Sequence, residues 1–269
     1  MTDLTPPENS PPQILARDDG ATIAYHRSPG KSPGIVFLTG FMSDMTGSKA
    51  LALEAYCRDR GRAFLRFDYT GHGQSSGAFT DGTIGQWAAD AVYALDKLTD
   101  GPQVLVGSSM GGWIMLLTTL LRPQRVAGLL GTAAAPDFTR DLMEAVFTPD
   151  QQKELAETGQ VLIPSDYEDG DPYPITKALI EDGRDQLLLD REIPLDCPVR
   201  LIHGQQDRDV PWQTSMRLAE CLRSRDVEVT LIKEGDHRLS EPHDLDRLIR
   251  ILDKLLHHID NPPGPEQPN

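Results

Sequence analysis

Cysteine is scarce in this chain, and the three present, Cys57, Cys197 and Cys221, are an odd number without metal-ligand spacing. That excludes a disulfide framework and a cysteine-built metal centre, and it points to a reducing compartment. Positive charge is also in deficit. Against 41 Asp and Glu stand 26 Lys and Arg, a net charge of −15, a field that repels nucleic acid and anionic membrane surfaces. Long hydrophobic runs are missing too. The most apolar stretch, residues 113–121, is broken by threonines and falls well short of the roughly 20 residues that span a bilayer. The first twelve residues hold no basic segment followed by an apolar core, so no signal peptide is expected. With the cysteine usage, this gives a cytoplasmic protein as the expectation. There is no internal repeat, no H-x-x-H-type metal spacing, and no motif that calls for a cofactor.

What is there alternates. Between proline-rich ends, 1–12 and 261–269, which read as disordered tails, short apolar runs take turns with amphipathic stretches. A hairpin is expected over 14–16 and 21–26, followed by strands over 35–38, 63–67, 103–106, 126–131, 199–203 and 227–232. Helices are expected over 47–60, 84–98, 113–121, 212–223 and 242–258. Strands that read as continuous apolar runs between helices indicate a mostly parallel central sheet covered on both faces, an α/β fold. Residues 136–193 break the rhythm with helical stretches and proline-rich turns. The expectation is a core made of 13–135 and 194–260, carrying a small helical cap at 136–193 over the carboxyl ends of the strands, where ligands bind in such sheets.

One run carries the chemistry. Val104-Leu105-Val106-Gly107-Ser108-Ser109-Met110-Gly111-Gly112-Trp113 drives an apolar strand into G-x-S-x-G and straight on into an apolar helix. This strand-to-helix turn lifts a serine hydroxyl above the sheet edge, and small residues two before and two after let the backbone make it. Only Ser109 fits the centre, because Ser108 would need a glycine where Val106 stands. A serine on the elbow also excludes chemistry that begins with a carboxylate nucleophile there.

A serine hydroxyl needs a base, and the base needs an orienting acid. Seven histidines compete. His26 belongs to the early hairpin, His72 to a glycine turn where packing explains it, and His203 to a strand end. His257 and His258 close the last helix. His237, in the loop after the last strand, is the expected base ahead of His243, which already opens the following helix. Asp207, after strand 199–203, is the expected acid. Asp209 beside it reads as an N-cap or solvated residue, and Asp137 is the second candidate. The order Ser109, Asp207, His237 is the one that accompanies a G-x-S-x-G elbow. Oxyanion donors are expected from the backbone N–H of Met110, at a helix N-terminus, and of Phe41 in Thr39-Gly40-Phe41-Met42. In the cap, Phe138, Leu142, Met143, Val146 and Phe147 recur at helical spacing and are candidates for an acyl pocket, although the same spacing suits the cap's own core.

Together, Thr39-Gly40-Phe41, Asp68-x-x-Gly71-His72-Gly73-x-Ser75, the Ser109 elbow, Gly204-x-x-Asp207-x-x-Val210-Pro211 and Gly235-Asp236-His237 resemble the α/β-hydrolase superfamily over most of the chain. The oxyanion loop departs from the frequent His-Gly start. Gly-Ser-Ser-Met-Gly-Gly-Trp, the small cap and Gly-Asp-His-Arg are most similar to the branch of depalmitoylating thioesterases and acyl-glucuronide esterases. The resemblance implies a serine hydrolase acting on a small-molecule ester or thioester through an acyl-serine intermediate, without a metal. Three other readings stand beside it: a non-catalytic ligand-binding module on the same scaffold, a perhydrolase or haloperoxidase-like side activity of the triad, and a metallohydrolase built on His203, Asp207 and His237.

Overall fold

The computed structural model describes residues 11–164 and 172–262. Most of both expected tails, and 165–171 within the expected cap, lie outside that description. The core is an eight-stranded sheet: β1 (Gln13–Ala16), β2 (Thr22–Ser28), β3 (Lys31–Leu38), β4 (Arg62–Phe67), β5 (Gln103–Ser108), β6 (Val126–Thr132), β9 (Val199–Gly204) and β10 (Val227–Ile232). Its order is β1-β2-β4-β3-β5-β6-β9-β10. β1 pairs antiparallel with β2, and β2 with β4. From β4 to β10 every pairing is parallel.

The expected sheet and helices are all present, and the burial pattern explains why they could be read. β3 sends Val36 and Leu38 to one face and Ile35 and Phe37 to the other, and both sets are buried. Helices α2 (Ile84–Leu98) and α3 (Met110–Leu121) cover the first face. Helices α1 (Ser48–Arg60) and α7 (Pro242–Asp260) cover the second, and α6 (Gln213–Cys221) follows β9. With both faces dry, alternation disappears and the strands become continuous apolar runs. Among the described residues, no helix is long and apolar enough to cross a membrane.

The segment between β6 and β9 is less helical than expected. Thr139–Met143 winds as a π-helix and Glu144–Val146 as a 3-10 turn, where the sequence pattern predicts one regular helix. Helix α4 (Pro149–Thr158) starts on a Thr148/Gln151 capping box and ends at Gly159 in the left-handed region. An antiparallel pair unforeseen in the sequence follows, β7 (Gln160–Ile163) with β8 (Tyr173–Thr176), and then α5 (Lys177–Asp185). Two strands of four residues, one carrying Pro174, give almost no periodic signal. Proline is tolerated there because a two-stranded sheet is all edge.

Several contacts close this segment and fasten it to the core, among them Gly85 N to Asp182 Oδ2 at 2.7 Å and Arg217 to Asp141 at 3.0 Å and Asp190 at 2.9 Å. The buried Asp137 carboxylate accepts the backbone N–H of Leu188 at 2.9 Å and of Leu189 at 2.8 Å, tying the start of the excursion to its end. The Trp113 indole, fully buried one turn into α3, donates to the Gln186 carbonyl at 3.1 Å.

Candidate active site

Ser109 stands between β5 and α3 with φ 55° and ψ −121°, a conformation that side chains other than glycine adopt only under constraint. The constraint is visible. Its N–H donates to Thr132 O at 3.0 Å, and its carbonyl accepts from Gly112 N at 2.8 Å and Ala135 N at 3.1 Å. A Cβ at Gly107 would run into the backbone of Gly111 and Gly112, and one at Gly111 would strike the Leu38 carbonyl. Those two glycines let α3 start directly against β3 and β5.

The loops that follow β10 and β9 bring the next two groups. His237 Nε2 lies 3.1 Å from Ser109 Oγ, and His237 Nδ1 lies 2.8 Å from Asp207 Oδ2. Since Oδ2 accepts, Nδ1 carries a hydrogen and Nε2 faces the hydroxyl as acceptor. The other carboxylate oxygen, Oδ1, accepts from Asp209 N at 2.9 Å and Val210 N at 2.8 Å. Burial drives the Asp207 carboxyl upward, but hydrogen bonds from His203 and His237 outweigh it and bring it down to about 2. Asp209 meets the pair through its backbone N–H and belongs to the lining of the cavity above Ser109.

The other candidates fall elsewhere. Asp137 is occupied by Leu188 and Leu189. His243 is exposed and pairs with Asp244 at 3.5 Å. His72 is buried among Tyr69, Phe79 and Trp87, and burial pushes it down to about 4. His203 is not an idle strand-end residue: its Nε2 lies 3.1 Å from Asp207 Oδ2, a contact that strand assignment alone does not reveal. Asp207, Asp209 and His237 bring ligand-type atoms within 4.8 Å of one another. Both Asp207 oxygens, however, are already committed to hydrogen bonds.

Above Ser109 opens a cavity of about 620 Å³, within the range of small-molecule sites. Its apolar lining, Phe41, Phe138, Leu142, Met143, Ile163 and Tyr173, gathers around the Phe41 ring, which meets Phe138 at 5.7 Å and Tyr173 at 6.0 Å; its polar lining includes Asp44, Lys49, Arg208, Asp209 and Arg238. Burial pushes the Lys49 ammonium down to about 8, against the opposing pull of Asp236 and Asp244. The expected pocket residues divide. Phe138, Leu142 and Met143 line the cavity; Val146 is 69% exposed and Phe147 is packed into the core, so neither lines it. The π-helical and 3-10 windings change the residues per turn, which turns these two away from the face a regular helix would give them.

Phe41 and Met110 line the same cavity, and among the described residues the backbone N–H of neither has a hydrogen-bond acceptor. The loop holding Phe41 is braced without the usual histidine. Thr39 Oγ1 donates to Asp44 O at 3.1 Å, the Tyr69 hydroxyl donates to Thr39 O at 3.4 Å, and Asp68 Oδ1 accepts Met45 N at 2.7 Å.

Comparison with known proteins gives the family and the fold. The model of the Alpha/beta hydrolase family matches residues 35–251. The mitochondrial palmitoyl-protein thioesterase ABHD10 of Mus musculus is 42% identical over 243 residues, 90% of this chain and 82% of its own length. Its Homo sapiens counterpart is 41% identical over 90% of this chain and 79% of its own length. Among solved structures, alpha/beta hydrolase domain-containing protein 10 from mouse superposes with a TM-score of 0.87 at 40% identity, covering 93% of this chain and 100% of that one. A putative hydrolase from Agrobacterium vitis S4 gives 0.86 at 39% identity, covering 91% and 99%. The cytoplasmic location expected from the sequence is overturned by these relatives, which are named as mitochondrial proteins; cysteine usage reports redox conditions and does not distinguish one reducing compartment from another. With its fold, its elbow and its relatives in agreement, the chain belongs to the alpha/beta hydrolase family and is a hydrolase.

Proposed function

We propose that this enzyme cleaves thioesters and oxygen esters of medium to long acyl chains by acyl transfer to Ser109. The observation that carries the reading is the unbroken line from Ser109 Oγ through His237 to Asp207, opening on a cavity with an apolar lining around Phe41. In the first step His237 Nε2 takes the hydroxyl proton as Oγ attacks the carbonyl carbon. Asp207 holds the imidazole in that tautomer and stabilises the imidazolium. Negative charge builds on the carbonyl oxygen, where the unpartnered N–H groups of Phe41 and Met110 receive it. His237 then gives its proton to the departing thiol or alcohol, leaving an acyl-serine. Water, activated by the same histidine, attacks that ester and releases the acid.

The apolar lining is proposed to hold the acyl chain, and the polar lining to face the leaving group. The relatives' names support the thioester, since they are palmitoyl-protein thioesterases. The test is a rate series over acyl length with matched thioesters and oxygen esters. Burying one methylene contributes about 0.8 kcal/mol, so kcat/KM is expected to rise about 3- to 4-fold per CH2 until the cavity is filled. Turnover independent of chain length contradicts the assignment of the apolar lining. No turnover at any length contradicts the hydrolytic reading and favours a ligand-binding module.

A further inference from the structure

His203 is the last residue but one of β9, and it is fully buried. Its ring is held at three points. Nδ1 lies 2.7 Å from Ser215 Oγ in α6, itself fully buried; Nε2 lies 3.1 Å from Asp207 Oδ2 and 3.0 Å from the Val210 carbonyl. Both neighbours of Nε2 are oxygens that only accept, so Nε2 bears the hydrogen. In the neutral ring, Nδ1 then accepts the Ser215 hydroxyl hydrogen. Asp207 Oδ2 thus takes one hydrogen bond from His203 and one from His237, on a single atom.

We propose that His203 is a positioning residue of the hydrolytic site, which aims Asp207 Oδ2 at His237 and draws off part of its charge, its own tautomer being set by Asp207 and the Val210 carbonyl and its ring being anchored by Ser215. The proposal rests on the Ser109–His237–Asp207 reading above. Two consequences follow from the shared oxygen. Asp207 Oδ1 is held by the N–H groups of Asp209 and Val210, and His203 fixes Oδ2 independently of His237, so that oxygen keeps its place as the imidazole gains and loses its proton. A donor on that oxygen also makes the carboxylate a weaker partner for the imidazolium, so the base releases its proton to the leaving group more readily. Without the His203 donor the carboxylate is more basic, and the protonated form of the His237–Asp207 pair is stabilised.

The experiment compares kcat/KM against pH, with one activated ester, for the wild type, His203→Asn, His203→Gln and Ser215→Ala. Asparagine keeps a polar group opposite Ser215 but is too short to reach Asp207, whereas the glutamine amide reaches the Nε2 position. The other charged groups near the pair are Asp209 and Arg208 on the β9 loop, Asp236 and Arg238 beside His237, and Lys49 on α1. They are common to all four proteins, so differences between profiles report on His203. The acid limb reflects protonation of the coupled pair. It is expected to move up by about one pH unit in His203→Asn, with kcat down roughly 10-fold, and to return close to the wild-type position in His203→Gln. Ser215→Ala, the mildest change, is expected to shift the limb in the same direction by less. An acid limb that stays in place in His203→Asn, or is displaced equally in His203→Gln, overturns the proposal. If His203→Asn does not fold, an unshifted limb in Ser215→Ala overturns it. None of these outcomes touches the parent reading, which fails if wild-type turnover survives Ser109→Ala.

Discussion

Ser109 is held in a backbone conformation that costs on the order of 1–3 kcal/mol, and the surrounding bonds to Thr132, Gly112 and Ala135 sustain that cost. Function and stability are therefore opposed at this residue. Replacing Ser109 by glycine, which tolerates positive φ, is expected to abolish ester turnover and to raise the unfolding free energy by about 1 kcal/mol. Urea unfolding measures the second effect, and a lowered midpoint would mean that no strain is stored there. His72 makes a contrasting case. Its ring is confined among Tyr69, Phe79 and Trp87, and burial lowers its ionisation from 6.5 to about 4. Above about pH 6.5 the ring is neutral in both folded and unfolded chains and contributes nothing to pH dependence. As the pH falls from about 6.5 toward 4, the unfolded chain binds a proton that the folded one refuses, so stability is lost. At about 1.36 kcal/mol per unit the loss amounts to about 3 kcal/mol. His72→Phe is expected to flatten the stability profile over that interval, as followed by thermal unfolding at a series of pH values.

At the scale of elements, the excursion between β6 and β9 is held at several points, including Gly85 and Arg217. Asp137 closes the excursion by holding Leu188 and Leu189, and Trp113 ties α3 to Gln186. Asp137→Ala leaves two buried N–H groups without acceptors, each costing about 1–3 kcal/mol. The expected result is a loss of about 2–5 kcal/mol in urea unfolding, with KM rising for long acyl esters and kcat on a short activated ester nearly unchanged. An equal fall in kcat on both substrates would show instead that Asp137 supports the reacting groups. The elements of the core are legible in the sequence because a strand buried on both faces announces itself by composition. The elbow is legible because its glycines answer a steric demand within five residues. The cap is not legible in the same way. β7 and β8 are too short for a period, and the π-helical turn at Thr139–Met143 breaks the 3.6-residue repeat on which a pocket role for Val146 and Phe147 depends. His203 escapes for another reason: its partners come from a loop that folds back four residues later and from α6, and neither closure is written in local pattern.

Across the whole molecule, four strand ends converge on one site. β3 delivers Phe41, β5 Ser109, β9 Asp207 and β10 His237, so parallel strands bring groups from opposite ends of the chain onto one edge of the sheet. The chain order of those groups is readable; their distances, the 620 Å³ of space above them and its apolar and polar lining are not. If the acyl group passes through Ser109, intact-protein mass spectrometry during turnover of a slowly deacylating ester will catch it there. The expected result is a transient mass increase equal to the acyl group, mapped by peptide sequencing to Ser109 and absent from Ser109→Ala. Turnover that continues without any acyl adduct while deacylation is demonstrably rate-limiting, or an adduct that persists in Ser109→Ala, would contradict it.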